Sequence, residues 1–113
     1  MKAERIRKLY DLADSGDWEG QRALLADGYR HHILHEGVDI EGPDETIAAV
    51  RSASEGLRMT WTSDRIDEHG VFAVSFSTGT IEGLPPFKAL NIYRFDGDQI
   101  AEGWVLAGPP EET

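Results

Sequence analysis

Hydrophobic residues near the start of the chain recur at the spacing of an amphipathic helix. Ile6, Leu9, Tyr10 and Ala13 follow the i, i+3, i+4, i+7 pattern of one buried stripe, and Lys and Arg occupy positions between them. This pattern predicts a first helix over residues 3–14.

Capping signals indicate two more helices. Asp17 follows a Ser-Gly break and suits an N-cap, which places Trp18 and Leu25, seven residues apart, on a short second helix. Pro43 suits the first position of a third helix in the segment GPDETIAAVRSASEGL. One face of this third helix is formed by Ile47, Val50, Ser54 and Leu57.

An alternation of period two replaces the helical spacing in the remaining segments. Five strands are predicted, in YRHHILH, LRMTWTSDRID, GVFAVSFSTGT, FKALNIYRF and QIAEGWVLA. The sequences DEHG and DGDQ between neighbouring strands predict tight hairpins, the first of which exposes His69. The order α-α-β-α-β-β-β-β predicts an α+β domain in which helices cover one face of a curved antiparallel sheet.

Composition narrows the class of protein. A chain of 113 residues fits one core, so residues 1–108 are expected to form a single domain and residues 109–113 an acidic tail. The chain has no cysteine, which favours a cytoplasmic setting, and its start has no unbroken apolar run, so no signal peptide or membrane span is expected. The net charge of -10 argues against a nucleic-acid partner.

The last predicted hairpin defines a candidate pocket. If Gly97 and Asp98 form its tip, simple pairing sets Phe95 opposite Ile100, Tyr93 opposite Glu102 and Asn91 opposite Trp104. We assign this face to a cavity, which Trp61 also borders. The predicted ligand-binding residues are Trp61, Asn91, Tyr93, Glu102 and Trp104.

These residues also have simpler interpretations. The tryptophans can be plain core residues, and an inward Glu102 can pair with Arg or Lys at the rim instead of serving as a general acid. The opposite face of the hairpin is too apolar to stand in water, so a second subunit is expected to cover it. Its predicted residues are Leu90, Ile92, Arg94, Ala101 and Val105.

Several segments together resemble a known superfamily. The element order with EGPDETIAAV, GTIEG and above all NIYRFDGDQIAEGW is similar to the SnoaL-like (polyketide-cyclase-like) branch of the nuclear transport factor two-like superfamily. The resemblance implies a cone-shaped, cystatin-like sheet around a long helix, a hydrophobic pocket for an apolar small molecule, and often a homodimer through the sheet, here through Leu90, Ile92 and Val105. No cofactor is expected.

Three histidines lie in the segment YRHHILHEG. His31 and His32 point to opposite faces of a strand, and His31 and His35 are roughly 13 Å apart along it, so no shared metal site is expected. Two assignments stay open for the cavity. Side-chain chemistry favours Tyr29, Ile33 and His35, whereas the family pattern of an aromatic followed three residues later by histidine selects His32. His32 and His35 are therefore the candidate catalytic residues.

The chain also departs from the family's catalytic patterns. The position of the cyclase aspartate is Gly108, the steroid-isomerase base falls near Ile33, and the Asp-Arg-Asp set of the epoxide hydrolases is not evident. Two hypotheses follow. The first is a non-catalytic small-molecule-binding domain with an apolar pocket. The alternative is a polyketide-cyclase-like or ketosteroid-isomerase-like enzyme that uses a histidine as acid-base on an apolar carbonyl compound.

Overall fold

The chain folds as three helices against one six-stranded sheet. The computed structural model describes residues 2–109, so residues 110–113 of the predicted tail lie outside the described residues. The elements are α1 Lys2–Ser15, α2 Trp18–Ala23, β1 Leu25–Ile33, β2 Val38–Glu41, α3 Pro43–Leu57, β3 Met59–His69, β4 Phe72–Ile81, β5 Phe87–Asp96 and β6 Gln99–Ala107. This arrangement confirms the predicted α+β class.

The sheet is curved and unclosed, with the strand order β2-β1-β6-β5-β4-β3. All neighbours are antiparallel except β1 and β6, which run parallel. The strand β2 was not predicted. It has only four residues, three of them exposed, and therefore lacks the alternation that identifies a half-buried strand.

Helix α1 fills the concave face of the sheet as its stripe predicts. Ile6 is fully buried, and Leu9, Tyr10 and Ala13 are 6–7% exposed. Ile6, Leu9 and Tyr10 join the core formed by Tyr29, Tyr93, Phe95 and Ile100 of the sheet, a cluster to which Leu24, Leu25 and Ala73 also belong. The first helix therefore packs its apolar stripe on the inner side of the sheet.

The second helix is shorter than predicted. Asp17 caps it by accepting a hydrogen bond from the Gly20 amide at 2.9 Å, as expected. The helix ends at Ala23, because the Leu24 carbonyl accepts a hydrogen bond from the Ile100 amide and draws the chain into the sheet. Leu25 thus begins β1 instead of ending α2.

The β5–β6 hairpin begins in the predicted register and then leaves it. The tip lies at Gly97 and Asp98, and Phe95 pairs with Ile100 as predicted. The next pair is Arg94 with Glu102, so Ala101 is one extra residue on β6 and forms a β-bulge.

The bulge corrects the predicted faces of the hairpin. Because one extra residue reverses the alternation of all that follow, Tyr93 now pairs with Gly103, Asn91 with Val105, and Ile92 with Trp104. Glu102 and Trp104 therefore lie on the outer face, and the prediction that they face the cavity is wrong. Val105, predicted on the outer face, is buried on the inner side, and Ala101 is the buried bulge residue.

Candidate functional site

A cavity of about 300 Å³ lies between the concave face of the sheet and helices α1 and α3. The predicted face of α3 borders it with Ile47, Val50, Ser54 and Leu57. From the sheet side it is lined mainly by apolar residues, among them Ile33, Met59, Trp61, Phe87 and Val105. The cavity is therefore mostly apolar, with a few polar groups whose positions decide what it can bind.

Trp61 lies in the cavity wall, where the sequence placed it. Its ring stacks on Tyr10 with 6.4 Å between centroids and meets Phe87 edge-on at 5.4 Å. Phe87 can turn inward because its cross-strand neighbour is Gly79, and a Cβ at that position would overlap the Phe87 ring. These three aromatic rings form a continuous wall, which suits a flat or unsaturated ligand.

A buried hydrogen-bond network forms the polar end of the cavity. The Tyr10 hydroxyl lies 3.1 Å from the Tyr93 hydroxyl and 3.3 Å from both Ser75 Oγ and Ser77 Oγ. Asn91 Nδ2 donates to the Tyr93 hydroxyl at 3.2 Å. Tyr93 is 3% exposed, and burial raises the pKa of its phenol well above the ordinary value, so the hydroxyl keeps its proton.

One polar atom of this network has no hydrogen-bond partner among residues 2–109. Asn91 is 5% exposed, and its Oδ1 has no hydrogen-bond partner among the described residues. Turning the amide over would pair Oδ1 with Tyr93 and leave Nδ2 open instead. A buried polar atom without a partner costs about 1–3 kcal/mol. Asn91 thus offers an unused hydrogen bond inside an apolar cavity.

His31, which the sequence pattern did not select, also lines the cavity wall. Its Nδ1 lies 2.8 Å from the Tyr29 hydroxyl, and the two rings are stacked. Burial, and to a smaller extent the charge of neighbouring His32, lowers the pKa of His31 to about 4. His31 is therefore a neutral imidazole near pH 7. Strand alternation contained the signal, because Tyr29, His31 and Ile33 share one face.

His35 lies at the cavity rim. It follows the end of β1, in the turn before β2, and its side chain is exposed. The Ala107 amide donates a hydrogen bond to His35 Nδ1 at 3.1 Å, which ties the turn to the end of β6. Of the two candidate catalytic histidines, His35 is thus the one that reaches the cavity.

His32 lies on the outer face, so the family-based assignment of His32 to the cavity is wrong. Its Nδ1 lies 2.6 Å from Asp39 Oδ1 and its Nε2 lies 2.7 Å from Glu102 Oε2, and its ring stacks on Trp104. Hydrogen bonds to Asp39 and then Glu102 raise the pKa of His32. The ring of His32, on β1, thus joins Asp39 of β2 to Glu102 of β6, and protonation of the ring strengthens both contacts.

Glu102 is the centre of this outer-face cluster. Arg94 donates to it at 3.2 Å and Arg30 at 3.4 Å, in addition to His32. Burial raises the pKa of Glu102, but the hydrogen bonds from His32 and Arg94 and the charge of Arg30 outweigh burial and lower it. Glu102 is therefore a carboxylate paired with arginine, the alternative to a general acid given by the sequence analysis. It is not available as a general acid in the cavity.

Metal-ligating and membrane-spanning features are both missing from residues 2–109. No group of three or more His, Asp or Glu side chains in this range could hold a metal ion. No helix in the described part of the chain is long and apolar enough to cross a bilayer.

Similarity to a known protein family agrees with this geometry. Residues 6–103 match the family described as SnoaL-like domain. The chain belongs to the SnoaL-like family. A search of curated proteins finds no match. The predicted superfamily is confirmed, and it identifies a small-molecule-binding fold.

Solved structures share the SnoaL-like fold. A proposed ketosteroid isomerase from Kribbella flavida is 17% identical with a TM-score of 0.82, covering 97% of this chain and 82% of its own. IdmH, a proposed polyketide cyclase from Streptomyces antibioticus, is 20% identical to this chain with a TM-score of 0.79. The match covers 93% of this chain and 90% of IdmH. An LEH-like epoxide hydrolase of M. tuberculosis is 15% identical to this chain with a TM-score of 0.78. The match covers 93% of this chain and 80% of the hydrolase. At these identities the likeness establishes the fold alone.

The His32 cluster predicts a pH-dependent stability. His32 has a folded pKa above its ordinary value of 6.5, so its contribution is complete below pH 6.5 and is lost as the pH rises through the folded pKa. Glu102 has a pKa below its ordinary value of 4.5, so its contribution is complete above pH 4.5 and is lost as the pH falls through the folded pKa. Replacing His32 with Gln should therefore cost most between these limits, about 1–2 kcal/mol of unfolding free energy.

Urea unfolding from pH 4 to pH 9 measures this difference. The destabilisation by His32→Gln should be largest near pH 5–6 and should shrink toward pH 9. His69→Gln, at an exposed hairpin position, is the matched control and should show little change. If His32→Gln lowers the unfolding free energy by the same amount at every pH from 4 to 9, the proposed contribution of protonated His32 is contradicted.

Proposed function

We propose that this SnoaL-like domain binds a small, mainly apolar molecule in the cavity and orients it through a hydrogen bond to Asn91. The cavity of about 300 Å³ lies at the lower end of the range of roughly 300–1,000 Å³ that is usual for ligand sites. Its apolar walls would supply affinity by removing ligand surface from water. The cavity has few polar groups, and so one of them can dominate the orientation of the ligand.

The observation that carries the proposal is the unused acceptor of Asn91. Asn91 Nδ2 is held by Tyr93, and Tyr93 is held by Tyr10, so the amide has little freedom to find a partner elsewhere. Its Oδ1 is buried and unpaired among the described residues, in a cavity whose walls are mainly apolar. A ligand hydroxyl placed there would remove the cost of the unpaired atom in either orientation of the amide, because a hydroxyl both donates and accepts. Such fixed polar groups provide specificity more than affinity.

A second candidate function is proton transfer on an apolar carbonyl compound, as in a cyclase or isomerase. The specific observation in its favour is a histidine in the cavity wall, since this hypothesis requires a histidine that can reach the bound compound. A pKa of about 4 makes His31 a weak base near pH 7, so its suitable role is that of a neutral hydrogen-bond donor to a carbonyl oxygen. The buried phenols of Tyr10 and Tyr93 could stabilise developing negative charge nearby.

The first test compares two ligands that differ in one hydroxyl. 2-Naphthol and naphthalene are titrated into the wild-type protein and the Asn91→Leu variant by calorimetry. Loss of the hydrogen bond to Asn91 should weaken 2-naphthol binding roughly 5- to 30-fold, or about 1–2 kcal/mol, and leave naphthalene binding unchanged or stronger. Thr60→Val, at an exposed position of β3, is the control and should affect neither ligand.

Two outcomes would contradict the binding proposal: equal weakening of both ligands, or no binding of either. The catalytic candidate is separated from simple binding with 2-tetralone in D₂O. Faster deuterium exchange at its α-carbon in the presence of protein, reduced by His31→Gln, supports proton transfer. An exchange rate equal to that of buffer with bound ketone supports a binding domain.

We also propose that the outer face of the sheet packs against a second copy of the chain. Leu90, Ile92 and Trp104 are only partly covered there, and Phe72, Phe76 and Leu106 are 37–47% exposed. Both signs of charge surround this patch, for example Arg94 and Glu102, so it can complement itself across a two-fold axis. Val105 is excluded from the interface because it lines the cavity.

The dimer proposal predicts the behaviour of Ile92→Asp. Ile92 lies between Val74 and Trp104 on the outer face, so an aspartate there would bury an unpaired charge at the interface. Sedimentation equilibrium should show dimer affinity reduced by about 100-fold or more. Ala48→Asp, at an exposed position of α3, should leave assembly unchanged. An Ile92→Asp protein with wild-type self-association would contradict the interface.

A further inference from the structure

Gly103 occupies a central position in β6, where a glycine is not needed for backbone reasons. It is not among the residues with positive φ, and it pairs with His31 on one side and Tyr93 on the other. A Cβ at Gly103 would overlap the Tyr29 hydroxyl and would lie 3.2 Å from His31 Nδ1. The missing side chain therefore provides the space in which Tyr29 and His31 meet.

The proton positions in this pair follow from the available partners. Burial raises the pKa of Tyr29 far above its ordinary value, so the phenol keeps its proton. His31 is the only hydrogen-bond partner of the Tyr29 hydroxyl among the described residues. The buried phenol must then donate to His31 Nδ1, because otherwise its proton would have no acceptor. Neutral His31 consequently carries its own proton on Nε2.

We propose that Gly103 and Tyr29 position His31 as a neutral imidazole whose Nε2–H is offered to a hydrogen-bond acceptor of the ligand, such as a carbonyl oxygen. His31 lines the cavity, and no side-chain hydrogen bond within residues 2–109 uses Nε2. This inference rests on the proposed function, since it assigns a second polar contact to the same cavity. Tyr29 and Gly103 are positioning residues, because they act on the ligand only through His31.

The two polar contacts lie at separate places in the cavity. His31 is aligned with Tyr93 across β6, and Asn91 lies two residues further along β5. Two strand spacings and two residues separate the Cα atoms of His31 and Asn91 by roughly 12 Å. A ligand that uses both contacts therefore has its acceptor and its donor on different parts of its framework.

The first experiment observes His31 in the protein without ligand. Long-range ¹⁵N–¹H correlation spectra of ¹⁵N-histidine-labelled protein should show His31 as the single Nε2–H tautomer from pH 6 to pH 8. In Tyr29→Phe the tautomers should mix, because Nδ1 loses its donor, whereas burial and His32 should still hold the pKa of His31 below its ordinary value. The other titratable groups near His31 are Tyr93 and His32, which this variant leaves in place.

The exposed His69 is the internal control and should give the same spectrum in both proteins. An Nδ1–H tautomer in the wild-type protein would overturn the inference. An unchanged His31 spectrum in Tyr29→Phe would overturn it equally.

A double-mutant cycle tests the role of Gly103 independently of any spectrum. Gly103→Ala should lower the melting temperature, because the new methyl group collides with the Tyr29 hydroxyl. In the Tyr29→Phe background the same substitution should cost clearly less, because the colliding oxygen is gone. Gly28→Ala, on β1 with open space around its Cβ position, is the matched control and should show no such coupling. If Gly103→Ala lowers the melting temperature equally with Tyr29 and with Phe at that position, the proposed role of Gly103 in making space for the Tyr29 hydroxyl is overturned.

The ligand contact is tested with 1-tetralone and its hydrocarbon analogue tetralin. 1-Tetralone should shift the His31 Nε2 resonance and bind about three- to tenfold less tightly to Tyr29→Phe, whereas tetralin should bind both proteins equally. Bound 1-tetralone that leaves Nε2 unmoved overturns the inference while the binding function stands. If the Nε2–H tautomer is present but neither compound binds, the proposed function fails and the ligand contact fails with it.

Discussion

The extra residue in β6 decides the chemistry of both faces of the sheet. Ala101 is accommodated as a bulge between the Phe95–Ile100 and Arg94–Glu102 pairs, and every later residue of β6 is turned over as a result. The bulge places the Glu102 carboxylate beside Arg94 and Arg30. Without it, the carboxylate would enter an apolar cavity, where an unpaired charge costs several kcal/mol. The same step turns Gly103 inward, where space is needed for Tyr29 and His31.

The two faces of the sheet consequently differ in chemistry. On the inner side, helices α1 and α3 close a small apolar cavity in which three polar features stand out: the open acceptor of Asn91, the linked phenols of Tyr10 and Tyr93, and neutral His31. On the outer side, His32 joins the short edge strand β2 to the arginine–carboxylate cluster. Two adjacent histidines of one strand thus have opposite surroundings: burial lowers the pKa of His31, and hydrogen bonds to Asp39 and Glu102 raise the pKa of His32.

Much of the fold was predictable because its signals are local. The α1 stripe, the Asp17 cap, the proline at the start of α3 and the hairpin tip at Gly97 all depend on neighbouring residues, and all were placed correctly. The bulge was not predictable in this way. The segment QIAEGWV places polar and apolar residues on both faces with or without a bulge, and the bulged register is favoured by contacts of Glu102 with Arg30 and His32, which are distant in sequence. His31 was missed although strand alternation sets it on the same face as Tyr29 and Ile33, because its contact with Tyr29 and its place beside Gly103 of β6 become visible only in the folded chain.

The position of the Trp104 ring tests the bulge most directly. In the structure this ring lies 5.5 Å from the His32 ring and 6.3 Å from the Phe72 ring, both on the outer face. Nuclear Overhauser spectra of the labelled protein should therefore connect the indole protons of Trp104 with ring protons of His32 and Phe72. Cross-peaks that instead connect the Trp104 indole with Tyr10 or Trp61 in the cavity would show an unbulged hairpin and would contradict the assignment of Glu102 and Trp104 to the outer face.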